Sequence, residues 1–117
     1  MNREITLRIY GEDRKLRFVK SEYMNNKNLA IIVQSEDEDY PNCWEQWCSL
    51  TVNFEELPFH DKAYLDTNNC SKEIINWLFE NKYAIDMNAP RISGYCSYPL
   101  VEFTNKFMNM LFKMEEI

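Results

Sequence analysis

The stretch from Ser49 to Ala84, SLTVNFEELPFHDKAYLDTNNCSKEIINWLFENKYA, constrains the chain most. Residues 50–54 form a strand-like run that meets a proline turn at Leu57-Pro58. Proline has no backbone N–H to add to a ladder, so the strand must stop there. Residues 63–66 read as a short edge strand. Asn68 or Asn69 then supplies an N-cap, and Glu73 faces the positive end of the helix dipole. Ile74, Ile75 and Leu78 recur at helical spacing, flanked by Trp77 and Phe79, and Asn81 can close the helix in a left-handed cap. Strands and a one-sided helix in so short a span must pack helix on sheet.

The flanking segments extend this pattern. Ile5, Leu7 and Ile9 alternate with Thr6, Arg8 and Tyr10. The turn signal Gly11-Glu12-Asp13-Arg14 follows, and Leu16 and Phe18 then share one face, as in a first hairpin. Residues 29–33 are continuously apolar and belong at the centre of a sheet. Residues 43–54 are long for one strand, so a bulge or bend near Cys48 is expected. Gly94 and Pro99 interrupt an aromatic extended segment over 92–103. At the C-terminus, Thr104 can cap a helix whose Phe107, Met110, Leu111 and Met114 fall at i, i+3, i+4, i+7. The Met-rich stripe reads as docked on the sheet, with a homodimer contact as the alternative. The expected fold is α+β: an antiparallel sheet of five to six strands with two α-helices, over 70–82 and after Thr104, packed against it. The 117 residues suffice for one domain, 1–117, and neither repeat nor boundary is visible.

Composition narrows function. The formal charge is −6, from 19 acidic and 13 basic residues, which opposes a direct nucleic-acid role because duplex binders need a basic surface. Basic residues crowd the first twenty positions, where the first hairpin can carry a local positive face. MNREITLRIY lacks the apolar core of a signal peptide and no window approaches a membrane span, so a cytoplasmic protein with Cys43, Cys48, Cys70 and Cys96 as free thiols is expected.

No catalytic signature is visible: Walker loop, dinucleotide fingerprint, Gly-x-Ser-x-Gly elbow and His-Glu-x-x-His are all missing. The cysteine spacing does not form zinc knuckles, and one His does not complete a His-rich site, so neither metal nor cofactor is expected. A thiol near a helix N-terminus is activated by the dipole, so Cys70 with His60 is the alternative site, for a cysteine-dependent enzyme or a small-molecule binder. The favoured site is a partner-binding one. Glu36, Asp37, Glu38 and Asp39 lie consecutively in a loop over residues 35–42, followed by Trp44 and Trp47, which are expected to be exposed. Charge beside aromatic anchors is the chemistry of protein interfaces.

A set of short motifs runs along most of the chain: Tyr10-Gly11, Leu29-Ala30-Ile31, Leu50-Thr51-Val52-Asn53, Leu57-Pro58, Asp66 to Asn69, Trp77-Leu78, Ser93-Gly94-Tyr95 and Pro99. In these the chain resembles an uncharacterised family of small proteins encoded on conjugative elements, plasmids and phages of Firmicutes. The segment from Thr104 on reads as an addition to that pattern. The resemblance implies the accessory cargo of mobile elements, which includes small acidic inhibitors of the anti-CRISPR and anti-restriction type. The expected function is therefore a non-catalytic inhibitor, monomer or homodimer, that blocks a basic surface of a host defence protein.

Overall fold

The N-terminal alternation forms β1 (Ile5–Ile9) and β2 (Glu12–Glu22), paired antiparallel with Ile5 opposite Leu16 and Ile9 opposite Glu12. The turn is tighter than the four-residue signal suggested. It consists of Tyr10 and Gly11, both at positive φ (53° and 81°), the twist that suits a two-residue hairpin. The structure, a computed structural model, describes residues 3–116.

β3 (Leu29–Glu36) lies between β2 and β4 (Trp44–Ser49), central as its apolar run requires. It runs on through Ser35 and Glu36, which the sequence had assigned to the acidic loop. The register between β3 and β4 shifts from Val33–Cys48 to Gln34–Gln46, so Trp47 is the extra residue of a bulge, beside the expected position. Leu50, fully buried, is the pivot at which the chain leaves this sheet.

A second sheet follows. β5 (Thr51–Val52), β6 (Lys62–Leu65), β7 (Ala84–Asp86) and β10 (Leu100–Phe103) are arranged β5-β6-β10-β7, all antiparallel. β6 is thus interior, not the edge strand expected; Ala63, Tyr64 and Leu65 are all buried. β8 (Arg91–Ser93) and β9 (Cys96–Tyr98) form a separate hairpin. Pro99 bends the chain from that hairpin into β10, and its carbonyl accepts the Leu65 N–H at 2.9 Å.

α1 (Lys72–Glu80) buries Ile74, Ile75 and Leu78 as its spacing dictates. Its N-cap is Ser71 and not an asparagine. Asn69 instead serves the preceding turn, donating from backbone (3.2 Å) and side chain (3.0 Å) to the buried Asp66 carboxylate. The helix ends without a left-handed Asn81 (φ −92°); Lys82 takes that conformation (φ 58°).

The second expected helix does not form. Thr104 leads into a single turn, α2 (Asn105–Met108), after which the chain extends into β11 (Phe112–Lys113) and closes on a 3₁₀ turn (Met114–Glu116). The architecture is therefore mostly antiparallel β with one substantial helix, and not an α+β sheet carrying two helices. The cause is an unpaired edge. β1 covers β2 only from Glu12 to Leu16, and β11 pairs parallel with the uncovered Val19 and Lys20. The Thr104 hydroxyl caps nothing in α2 and points to the carbonyls of Lys82 (3.2 Å) and Tyr83 (3.4 Å).

One core joins both sheets and α1, with Phe18, Leu50, Leu65, Leu78, Val101 and Phe107 fully buried within it. Phe18 stacks on Trp77 (5.6 Å) and meets Phe107 edge-on (5.2 Å). Polar fastening is concentrated between the 23–28 turn and the strand exit at Asn53. The Asn28 amide donates to Asn53 Oδ1 (3.0 Å) and the Glu55 carbonyl (2.9 Å), and its oxygen accepts the Leu57 N–H (2.9 Å). The Tyr23 hydroxyl lies 3.1 Å from the Thr51 carbonyl. Among the described residues, no helix is long and apolar enough to cross a membrane.

Candidate functional site

The far ends of β2, β3 and β4 meet at the acidic loop. Its backbone closes on itself, with the Asp37 N–H donating to the Cys43 carbonyl (2.8 Å) and the Cys43 N–H to the Tyr40 carbonyl (3.1 Å). Two of the four acids hold that shape. Asp37 Oδ1 accepts the Asp39 N–H (2.8 Å) and Glu36 Oε2 accepts the Asn42 N–H (3.2 Å), with Asn42 in the left-handed region (φ 67°). Glu38 and Asp39 are exposed.

Beside the loop lies a cleft of about 270 Å³. Its walls carry six carboxylates (Glu12, Glu36, Asp37, Glu38, Asp39 and Glu45) against one guanidinium, Arg14. All four sequence-predicted acids and Trp47 line it. Trp44 is not in its wall but stands opposite Glu36 in the β3–β4 ladder. Ser35 lines the cleft at 7% exposure, and its hydroxyl has no hydrogen-bond partner among the described residues. The hydroxyl itself is shut off from the cleft, as are the Ser71 hydroxyl and Glu73 Oε2 at the start of α1, likewise unpaired among the described residues, so it is a buried unpaired group of the fold and offers no contact to an incoming partner.

The two tryptophans were expected to be exposed; both are half-buried, and Trp47 packs on the core. Each carries a guanidinium over its ring. Arg14 sits 4.3 Å from the Trp47 centroid and Arg17 4.4 Å from that of Trp44. Arg17 also donates to Gln34 Oε1 (2.7 Å), and burial draws its pKa below the ordinary arginine value against the pull of Glu4 and Glu36. Lys15, hydrogen-bonded to Glu4 and near Glu36, is shifted upward by both. The basic face expected of the first hairpin is thus largely neutralised, with Arg8 on Asp13 and Arg14 on Glu12.

Sequence reasoning missed Glu12, Arg14, Ser35 and Glu45. The β2–β3 register, with Leu16 opposite Ser35 and Glu22 opposite Leu29, brings the start of β2, and with it Glu12 and Arg14, beside the loop that follows β3. Only the length of the turn between β2 and β3 could have indicated it, because that turn sets this register.

The structure does not bring the alternative pair together as predicted. Cys70 is buried, and its sulfur lies 3.0 Å from Cys48 Sγ. The Cys48 thiol and burial together push its pKa far upward, opposite to the activation expected at a helix start. His60 lines a small hollow with Lys20, Glu22, Lys27 and Leu29, whose walls do not include Cys70. Among the described residues, no cluster of three or more His, Cys, Asp or Glu side chains is arranged to hold a metal ion.

Comparison with curated proteins gives no match, and comparison with solved structures gives none either. A family model described as a domain of unknown function, DUF4313, matches residues 18–116. The match takes in α2 and β11, so the segment after Thr104 is part of the family domain and not an addition to it. With most of its length covered, from within β2 to the last 3₁₀ turn, the chain belongs to the DUF4313 family.

Proposed function

We propose that the protein is a non-catalytic binding module whose acidic cleft receives an arginine- or lysine-rich segment of another protein. The observation that carries this reading is the convergence of six carboxylates on one cleft. Arg14 and Arg17 already cover ring faces of Trp47 and neighbouring Trp44, so the carboxylates are what a partner's cations meet, and Trp47 in the cleft wall reports their arrival. Complementary charge of this kind speeds encounter and makes it salt-sensitive. In the setting that the sequence resemblance implies, the segment belongs to a host defence protein in the cytoplasm, and its occupation blocks a nucleic-acid-binding surface.

The test is a titration with an arginine-rich peptide, followed by tryptophan fluorescence, against a glutamate-rich peptide of equal length. The arginine peptide binds and the glutamate peptide does not. The E38K/D39K double variant leaves the loop-closing Glu36 and Asp37 in place and weakens binding by about tenfold or more. Equal affinity of wild type and variant would remove the cleft from the function.

A further inference from the structure

The cysteines suggest chemistry that the cleft does not use. Cys48 lies on β4, next to the bulged Trp47, and Cys70 immediately precedes the N-cap of α1. Their sulfurs are 3.0 Å apart, yet both thiols are free. That separation is closer than ordinary contact between non-bonded sulfurs and about 1 Å from disulfide length. The two residues come from the first sheet and from the start of the helix, so their meeting is a tertiary contact and not a product of sequence spacing. Cys43 is exposed, and Cys96 lies on the separate β8–β9 hairpin.

We propose that Cys48 and Cys70 are a disulfide-forming pair, closed by low-molecular-weight disulfides such as oxidised glutathione, and that the bond pins β4 to the start of α1. The two thiols have different roles. Cys48 is half-buried where Cys70 is buried, so it is the more accessible of the two, and its hydrogen bond with the Cys70 thiol, aided by the Ser71 backbone N–H, lowers its pKa. Its thiolate is therefore the attacking group. Having given up its proton to water, it attacks one sulfur of the small disulfide, forming a mixed disulfide and releasing one small thiolate, which takes up a proton in turn. With its sulfur tied up in the mixed disulfide, Cys48 no longer holds the Cys70 proton in place, which lifts the largest cause of the raised Cys70 pKa. Cys70, buried behind it, then attacks Cys48 Sγ as it loses that proton and expels the second small thiolate. The Cys70 proton leaves with that thiolate. Two protein thiols are oxidised to one disulfide, and one small disulfide is reduced to two thiols. Nothing in this step depends on what the cleft binds.

The test uses the full chain with C43S/C96S, which leaves only the proposed pair. Incubation with oxidised glutathione should remove both titratable thiols, leave no glutathione attached and give a peptide map joining Cys48 to Cys70. The crosslink closes a loop of about 20 residues and should raise Tm by about 10 °C, reversibly on reduction. In the wild-type chain the same map should show Cys48–Cys70 and no other pairing, and C70S should stop at a glutathione adduct on Cys48. Two thiols still titrating in C43S/C96S, a stable mixed disulfide, or a map joining another pair would each overturn the proposal.

Discussion

At the scale of single residues, much of the order rests on polar side chains that a composition count would assign to turns. Asn28 is buried and makes three hydrogen bonds that tie the 23–28 turn to residues 53–57. Removing it leaves the Leu57 N–H and the Glu55 carbonyl without their partner. Asn28→Ala should therefore cost about 2–3 kcal/mol, read as a lower urea midpoint at unchanged slope. An unchanged midpoint would show that water replaces the amide there. Glu55 makes a second such contact. Its carboxyl is held below the ordinary glutamate range, first by the Tyr64 hydroxyl (2.7 Å) and further by Arg91, with which it pairs. A depressed pKa contributes stability above the unfolded value and loses it as pH falls through the folded one. Tyr64→Phe should accordingly narrow the difference in urea midpoint between about pH 7 and about pH 3. A difference as wide as wild type would mean that the Tyr64 contact does not hold Glu55 down.

At the scale of elements, local periodicity was a good guide wherever it coincided with the pairing the sheets needed. The alternation at Ile5, Leu7 and Ile9 and the stripe at Ile74, Ile75 and Leu78 fall where they should. The C-terminal stripe did not, because burial at i, i+3 and i+4 is satisfied by one helical turn followed by an extended segment. Phe107, Met110 and Leu111 are buried, whereas Met114, next on a continued helix, is half exposed. What the sequence hides is the open edge of β2 at Val19 and Lys20, which exists only because the β1 ladder begins at Ile5, opposite Leu16. A substitution pair separates the two architectures. Phe107→Ala removes a ring packed on Phe18, Tyr83 and Phe103 and should cost about 3–5 kcal/mol. Met114→Ala should stay within about 0.5 kcal/mol. Comparable losses at both positions in chemical denaturation would favour a continuous docked helix.

At the scale of the whole molecule, two sheets share one core and leave the acidic loop at the end of the first sheet. The four consecutive acids and the tryptophans were legible as a candidate site because charge and aromatic type are properties of the sequence itself. Their division of labour was not. Glu36 and Asp37 brace the loop through backbone N–H groups, and Glu12 and Arg14 arrive from β2, distant in sequence. The most direct measurement of the central claim is amide chemical-shift mapping while an arginine-rich peptide is added at low salt. Shifts should concentrate at residues 35–39, 44–47 and Arg14, and should vanish as salt rises. Shifts confined to the β8–β9 hairpin, or none at any peptide concentration, would contradict the account.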